Sequence, residues 1–195
     1  MRDQSFEELI NILERVYHLS ENEIDAFCGI WKPHEAKRKE ILTTAGEKEK
    51  YLYFVNEGVQ RVFYSDEFGK EATILFTYAP SFGGVLDSFL KQSPSRYNYE
   101  TLTPSSFIRA QYSDLEMVMK DHRAIESMIL SGVTDSLSGV LERLIEVQCF
   151  SSEEKFRKLL TRSPHILQLV PHKYLANYLG IDPTNFSKLI NKVRI

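Results

Sequence analysis

Six apolar residues, Leu130, Val133, Leu137, Val140, Leu144 and Val147, alternate spacings of three and four without a fault. That period belongs to one side of an α-helix, because helical side chains return to a face every roughly 3.6 residues. It is also the seam spacing of a helix that pairs with another helix. Ile125, Ile129, Leu141 and Ile145 add a second apolar stripe to the same segment. A helix apolar on two faces has to be covered on both. One cover is the chain's own globular body and the other is a partner helix, so a homodimer through Leu130–Val147 is the expectation.

The chain on the N-terminal side has a different rhythm. Phe6, Leu9, Ile10, Leu13 and Val16 give an amphipathic helix, and Ser20 with Glu23 reads as a capping box opening a second one. From Trp31 to Arg109 short runs of β-branched and aromatic residues are separated by turns. Leu52–Val55 precedes Asn56-Glu57-Gly58, and Val62–Tyr64 precedes Asp66-Glu67-Phe68-Gly69. Ala72–Thr77, Tyr97–Leu102 and Phe107–Gln111 follow, with Pro80 and Gly83-Gly84 breaking the pattern. Strands this short and evenly spaced predict an antiparallel barrel or sandwich, so the fold class is α+β.

Charge divides the chain at the end of the long helix. Residues 1–149 hold 16 Lys and Arg against 24 Asp and Glu, whereas residues 150–195 hold 8 against 3. A basic segment behind an acidic body suits a phosphate-binding module. The N-terminus has no apolar signal region and no run is long enough to span a bilayer, so a cytoplasmic protein without a membrane partner is expected. Two cysteines, Cys28 and Cys149, are too few for a cysteine-held iron–sulfur cluster. Haem could draw on His34, His122 or Cys149, but lone side chains do not make a case for it. No HExxH, GxSxG, phosphate-binding Walker loop or paired CxxC occurs, which argues against an enzyme.

The basic segment has its own grammar. Ser151–Arg162 reads as an amphipathic helix closed by Ser163-Pro164. In VPHKYLANYLGIDPTNFSKLINKVRI, Leu175, Ala176 and Leu179 form the apolar side of one short helix. Gly180 supplies the turn, Asp182 caps the next helix and Pro183 fits its first turn. Phe186, Leu189, Ile190 and Val193 form its buried side. This is the pattern of a helix-turn-helix. Thr184, Asn185, Ser187, Lys188 and Lys192 then face outward, with Lys173 on the preceding helix, as candidates for base-edge and phosphate contacts with double-stranded DNA.

Taken together, these segments resemble the cyclic-AMP receptor protein family, the Crp/Fnr regulators. YLYFVNEGVQRVFYSDEFGKEATILF resembles the first hairpins of a cyclic-nucleotide-binding barrel, and APSFGGVLDSF resembles the opening of its phosphate-binding cassette. SSEEKFRKLLTRSP and YLANYLGIDPTNFSKL resemble the helix entering the DNA-binding domain and the helix-turn-helix itself. The resemblance implies a jelly-roll sensory domain over 1–115, a dimerisation helix over 116–149 and a helix-turn-helix domain over 150–195. It also implies a near-palindromic operator and contact with RNA polymerase. The β-wing that many relatives carry is expected to be missing or truncated.

The cassette departs from the nucleotide-binding pattern. Phe82-Gly83 is followed by Gly84 where binders place a glutamate, and by Val85; Ser95-Arg96-Tyr97 inverts the usual Arg-Ser order. These seven residues are the candidate effector pocket, with a small-molecule effector possible and cyclic AMP not the expected one. Losing a charged phosphate contact costs on the order of 1.5–3 kcal/mol. The alternative reading is an effector-binding or protein-interacting sensor without specific DNA binding.

Overall fold

A computed structural model describes residues 6–192. Two short helices open the chain, α1 (Glu7–Arg15) and α2 (Glu21–Gly29). The capping box at α2 is formed, with the Ser20 amide donating to Glu23 Oε2 at 2.8 Å. Eight strands follow: β1 (Lys32–Ala36), β2 (Ile41–Thr43), β3 (Tyr51–Glu57), β4 (Val59–Ser65), β5 (Glu71–Tyr78), β6 (Ser81–Gly83), β7 (Asn98–Thr101) and β8 (Ser105–Gln111). A short helix α3 (Leu86–Lys91) lies between β6 and β7.

The strands form two four-stranded antiparallel sheets, ordered β1-β8-β3-β6 and β2-β7-β4-β5. Strands consecutive in the chain are thus shared between two facing sheets, which is a jelly-roll arrangement. Strand β3 is buried on both faces, and this explains its almost continuous apolar run. Tyr53, Val55 and Phe107 point into the barrel, whereas Leu52, Phe54, Ile108 and Ala110 point outward under a helical layer. That layer is made by α1, α2, α4 (Tyr112–Asp121) and the start of α5 (Arg123–Cys149). Phe27 and Leu115 are fully enclosed there.

The segment over 116–149, expected as one dimerisation helix, falls on two helices. His122 is extended (φ −131°, ψ 96°) and separates α4 from the long α5. The second stripe on α5 is covered only at its beginning. Ile125 is buried and Ile129 half-buried, but Leu141 and Ile145 are exposed, because the barrel's helical layer ends before them.

The remainder is α6 (Ser152–Arg162), α7 (Ile166–Leu169), α8 (His172–Leu179) and α9 (Pro183–Lys192). Their core, around Phe156, Leu160, Leu175, Leu179 and Phe186, continues without a gap into Val59 and Leu102 of the barrel. The head is therefore docked on the body, with α8 lying along β5.

Candidate effector cassette and DNA-binding surface

The cassette is built around β6 and α3. Phe82 turns outward and packs edge-on against Phe54, with ring centroids 5.3 Å apart, so it belongs to the helical-layer core. Gly83 has no room for a side chain: a Cβ there would lie 2.4 Å from the Tyr99 hydroxyl. That hydroxyl is 3.0 Å from Thr77 Oγ1, which donates to Gln60 Oε1 at 2.8 Å. Tyr99 is fully buried, and its ring centroid is 5.5 Å from that of Tyr53. Burial pushes both phenols well above their ordinary pKa. Large aromatic rings thus occupy the interior that the cassette faces.

Glu49, which sequence reasoning missed, completes this filling. It is 1% exposed, and its carboxylate accepts from Thr43 Oγ1 (2.7 Å), the Val85 amide (3.1 Å) and the Tyr51 amide (3.2 Å). The Val85 amide is the backbone donor at the mouth of the cassette helix. Gly84 sits beside the same carboxylate; a Cβ there would be 3.5 Å from Glu49 Oε2. Burial holds the Glu49 carboxyl above its usual pKa, against the pull of these hydrogen bonds. The run Glu47-Lys48-Glu49-Lys50 gives no sign of this in sequence, because the donors come from three separate segments.

Of the remaining pocket candidates, Ser95 is buried and Arg96 is exposed. Ser95 Oγ donates to the Tyr97 carbonyl at 2.7 Å, and the Tyr97 amide donates back to Ser95 Oγ at 2.9 Å. The serine is spent on its own turn. The arginine expected in the pocket stands in solvent, carried outward on that turn.

In the head, Gly180 takes the left-handed conformation (φ 62°) that ends α8. Asp182 Oδ1 accepts from the Thr184 (2.8 Å) and Asn185 (3.2 Å) amides and so caps α9. Phe186 and Leu189 are buried, while Thr184, Asn185, Ser187, Lys188 and Lys192 are exposed. Val193 lies outside the described residues. Two of the exposed groups are already engaged. Ser187 Oγ donates to the Pro183 carbonyl at 3.0 Å, and Lys192 Nζ pairs with Glu153 Oε2 of α6 at 2.9 Å. Lys188 makes no ion pair among the described residues. Lys173 is exposed on α8, its ammonium 4.7 Å from the Tyr174 ring centre.

The seam residues of α5 stand mostly in the open. Leu130 is 66% exposed and Leu137 57%; Val140, Leu144 and Val147 are exposed as well, and Val133 is half-buried. Farther along, α5 grips the head. Buried Glu146 pairs with Arg143 (3.3 Å) and Arg162 (2.8 Å), and Arg143 donates to the Tyr178 carbonyl of α8.

The body meets the head through a second polar cluster. Arg61 is nearly fully buried between Glu100 (2.8 Å) and Glu71 (2.7 Å), and its guanidinium lies 4.2 Å from the Tyr174 ring centre. Lys39 Nζ donates to both Glu100 (3.1 Å) and the Tyr174 hydroxyl (2.5 Å). The Asn177 side-chain amide accepts from the Thr73 amide (2.6 Å) and donates to the Glu71 carbonyl (2.8 Å), both on edge strand β5.

Comparison with known proteins agrees with this geometry. Residues 33–122 match the family model of the cyclic nucleotide-binding domain. No curated protein matches the chain in sequence. Among solved structures it resembles FixK2 from Bradyrhizobium japonicum (TM-score 0.76, 15% identity, 84% of each chain covered). It also resembles a protein from Eubacterium rectale assigned to the Crp/Fnr family of transcriptional regulators (TM-score 0.69, 14% identity, 90% of this chain and 83% of that one). A third is the catabolite activator protein of Thermus thermophilus (TM-score 0.57, 16% identity, 92% and 85%). Residues 33–122 are thus a cyclic nucleotide-binding domain, set in a chain that has the fold of the Crp/Fnr regulators.

Proposed function

We propose that this chain is a DNA-binding transcription regulator of the Crp/Fnr type, dimeric through α5, whose barrel does not take cyclic AMP in the usual way. The observation that carries the first part is the exposed polar face of α9. Asp182 caps that helix, and Thr184, Asn185 and Lys188 stand ready for base edges and phosphates. A two-fold pair of such helices reads a near-palindromic site. RNA polymerase is the partner through which such a protein acts, from the cytoplasm, and no step of this role is catalytic.

The second part is supported by Glu49. The Val85 amide is the backbone donor at the mouth of the cassette helix, and a buried carboxylate already holds it. Two anions cannot share that donor without strong repulsion. The exposed position of Arg96 removes the cation that would offset it.

A gel-shift titration on genomic DNA fragments, with and without cyclic AMP, tests both parts. Free wild-type protein should shift a subset of fragments. Lys188→Ala should weaken that binding and lower discrimination between fragments, and cyclic AMP should change neither affinity nor melting temperature. Unchanged affinity in Lys188→Ala rejects the assigned recognition face, and a nucleotide-dependent rise in melting temperature rejects the closed cassette.

A further inference from the structure

The barrel has a second opening, beside the cassette, bounded by β1, β2, β3, β8 and the loop before β3. It is a cavity of about 240 Å³. Its floor is Tyr53 and Arg109, its walls His34, Thr43 and Tyr51, and Lys50 stands on its rim. Arg109 follows Phe107 by two residues on β8 and so points to the same side, into the barrel.

Arg109 differs from the other arginines that the fold recesses or ties down. Arg61, Arg143, Arg157 and Arg162 each hold a carboxylate. Arg109 is half-buried and has no carboxylate within ion-pair distance among the described residues. Its guanidinium lies 4.0 Å from the Tyr51 ring centre. Arg109 is held against that ring and also lines the cavity. A guanidinium in such a place suits a carboxylate or phosphate group.

Lys48 and Lys50 line the mouth together with Glu40 and Glu47, and Glu40 already accepts from the Lys37 amide at 2.8 Å. The Glu49 carboxylate behind Thr43 and Tyr51 is likewise committed, to Thr43 Oγ1 and to the Tyr51 and Val85 amides. His34 stacks on Phe107 (6.2 Å between centroids, 23° between planes), and burial, then Arg109, lowers its pKa. Its imidazole is therefore neutral near pH 7 and competes for no anion. Arg109 is left as the cation in the recess.

The geometry points to this cavity as a binding site for a small organic anion, its carboxylate or phosphate on Arg109 and its body against Tyr51, Tyr53 and His34. The volume sits just below the roughly 300–1,000 Å³ of ordinary small-molecule pockets, so the ligand is small. The site also lies where a signal could start. Arg109 is three residues before α4, and α4 leads directly into α5. Binding is independent of the DNA-binding reading; only its regulatory consequence rests on that reading.

The test is a titration of the full chain with phenyl phosphate and with benzoate at matched ionic strength, followed by ¹⁵N-resolved NMR of the Arg109 side chain and by melting temperature. The expected result is saturable binding that shifts the Arg109 Nε–H resonance. Arg109→Met should weaken binding roughly tenfold or more, since a charged hydrogen-bond partner is lost. If Arg109→Met fails to fold, Lys50→Met and the wild-type Arg109 resonance decide the matter. Absence of saturable binding, equal binding by Arg109→Met, or shifts gathered on α9 instead would overturn the site. A gel shift on the same samples separates the two readings. Lost DNA binding with retained anion binding leaves this site standing, and the reverse removes the site alone.

Discussion

Glu49 is the residue on which the closed cassette depends. Its partners, the Thr43 hydroxyl and the Val85, Tyr51 and Lys50 amides, are all donors, so a carboxylate fits and an amide does not. Glu49→Gln would aim its NH₂ at one of them, and we expect a loss of about 1–3 kcal/mol in urea denaturation. The pH dependence has a defined sign. This carboxyl ionises at higher pH in the folded chain than in the unfolded one, so the folded chain binds its proton more tightly. Its contribution should fall as pH rises from the ordinary glutamate pKa toward the raised folded value, and Glu49→Gln should flatten that stretch of the stability curve. Lys192 is a different case, since it is exposed and paired with Glu153. If it exchanges that partner for a phosphate, Lys192→Ala should lower the salt slope of DNA binding by about one unit for every sequence. The exposed α9 side chains and the Asp182 cap were legible in sequence because both follow from positions a few residues apart. Glu49 was not, since its burial depends on segments that only the barrel brings together.

At the scale of elements, α5 carries the sharpest prediction. Leu137→Asp places a charge amid Val133, Val140 and Leu144 and should give a monomer in sedimentation velocity, with wild type a dimer at micromolar concentration. Wild type sedimenting as a monomer would reject α5 as the interface. The helix and its apolar stripe were readable because their period is local. The hairpins through β3, β4 and β5 were readable for the same reason. Strands β1, β2 and β6 were not. In β1 only Ala36 is buried, so the segment shows no alternation, and β6 is three residues long. The exposed Leu141 and Ile145 carry another lesson. Apolar periodicity says that a face needs a cover, and only the tertiary fold says how far along the helix the body reaches. With Leu141 and Ile145 also bare, the uncovered surface is wider than a two-stranded seam.

At the scale of the molecule, body and head share one core and two buried ionic clusters. Arg61→Met would leave Glu71 and Glu100 facing Tyr174 with only Lys39 to neutralise them. We expect about 3 kcal/mol of destabilisation, the lower end for a broken buried pair because Lys39 remains, measurable by chemical denaturation. The charge division of the sequence had suggested a phosphate-binding module behind an acidic body. Docking across Val59, Leu102 and Tyr174 was invisible there, since an apolar residue at the end of a strand or on a helix does not reveal which neighbour covers it. The Asn177 amide adds a cost to any motion of the head. It pairs with the backbone of β5 as a neighbouring strand would. A head that swings free strips that pairing and leaves a bare β-edge with unsatisfied amides and carbonyls. Release would therefore trade intramolecular order for stickiness, and preparations in the undocked form should be the ones that precipitate on storage.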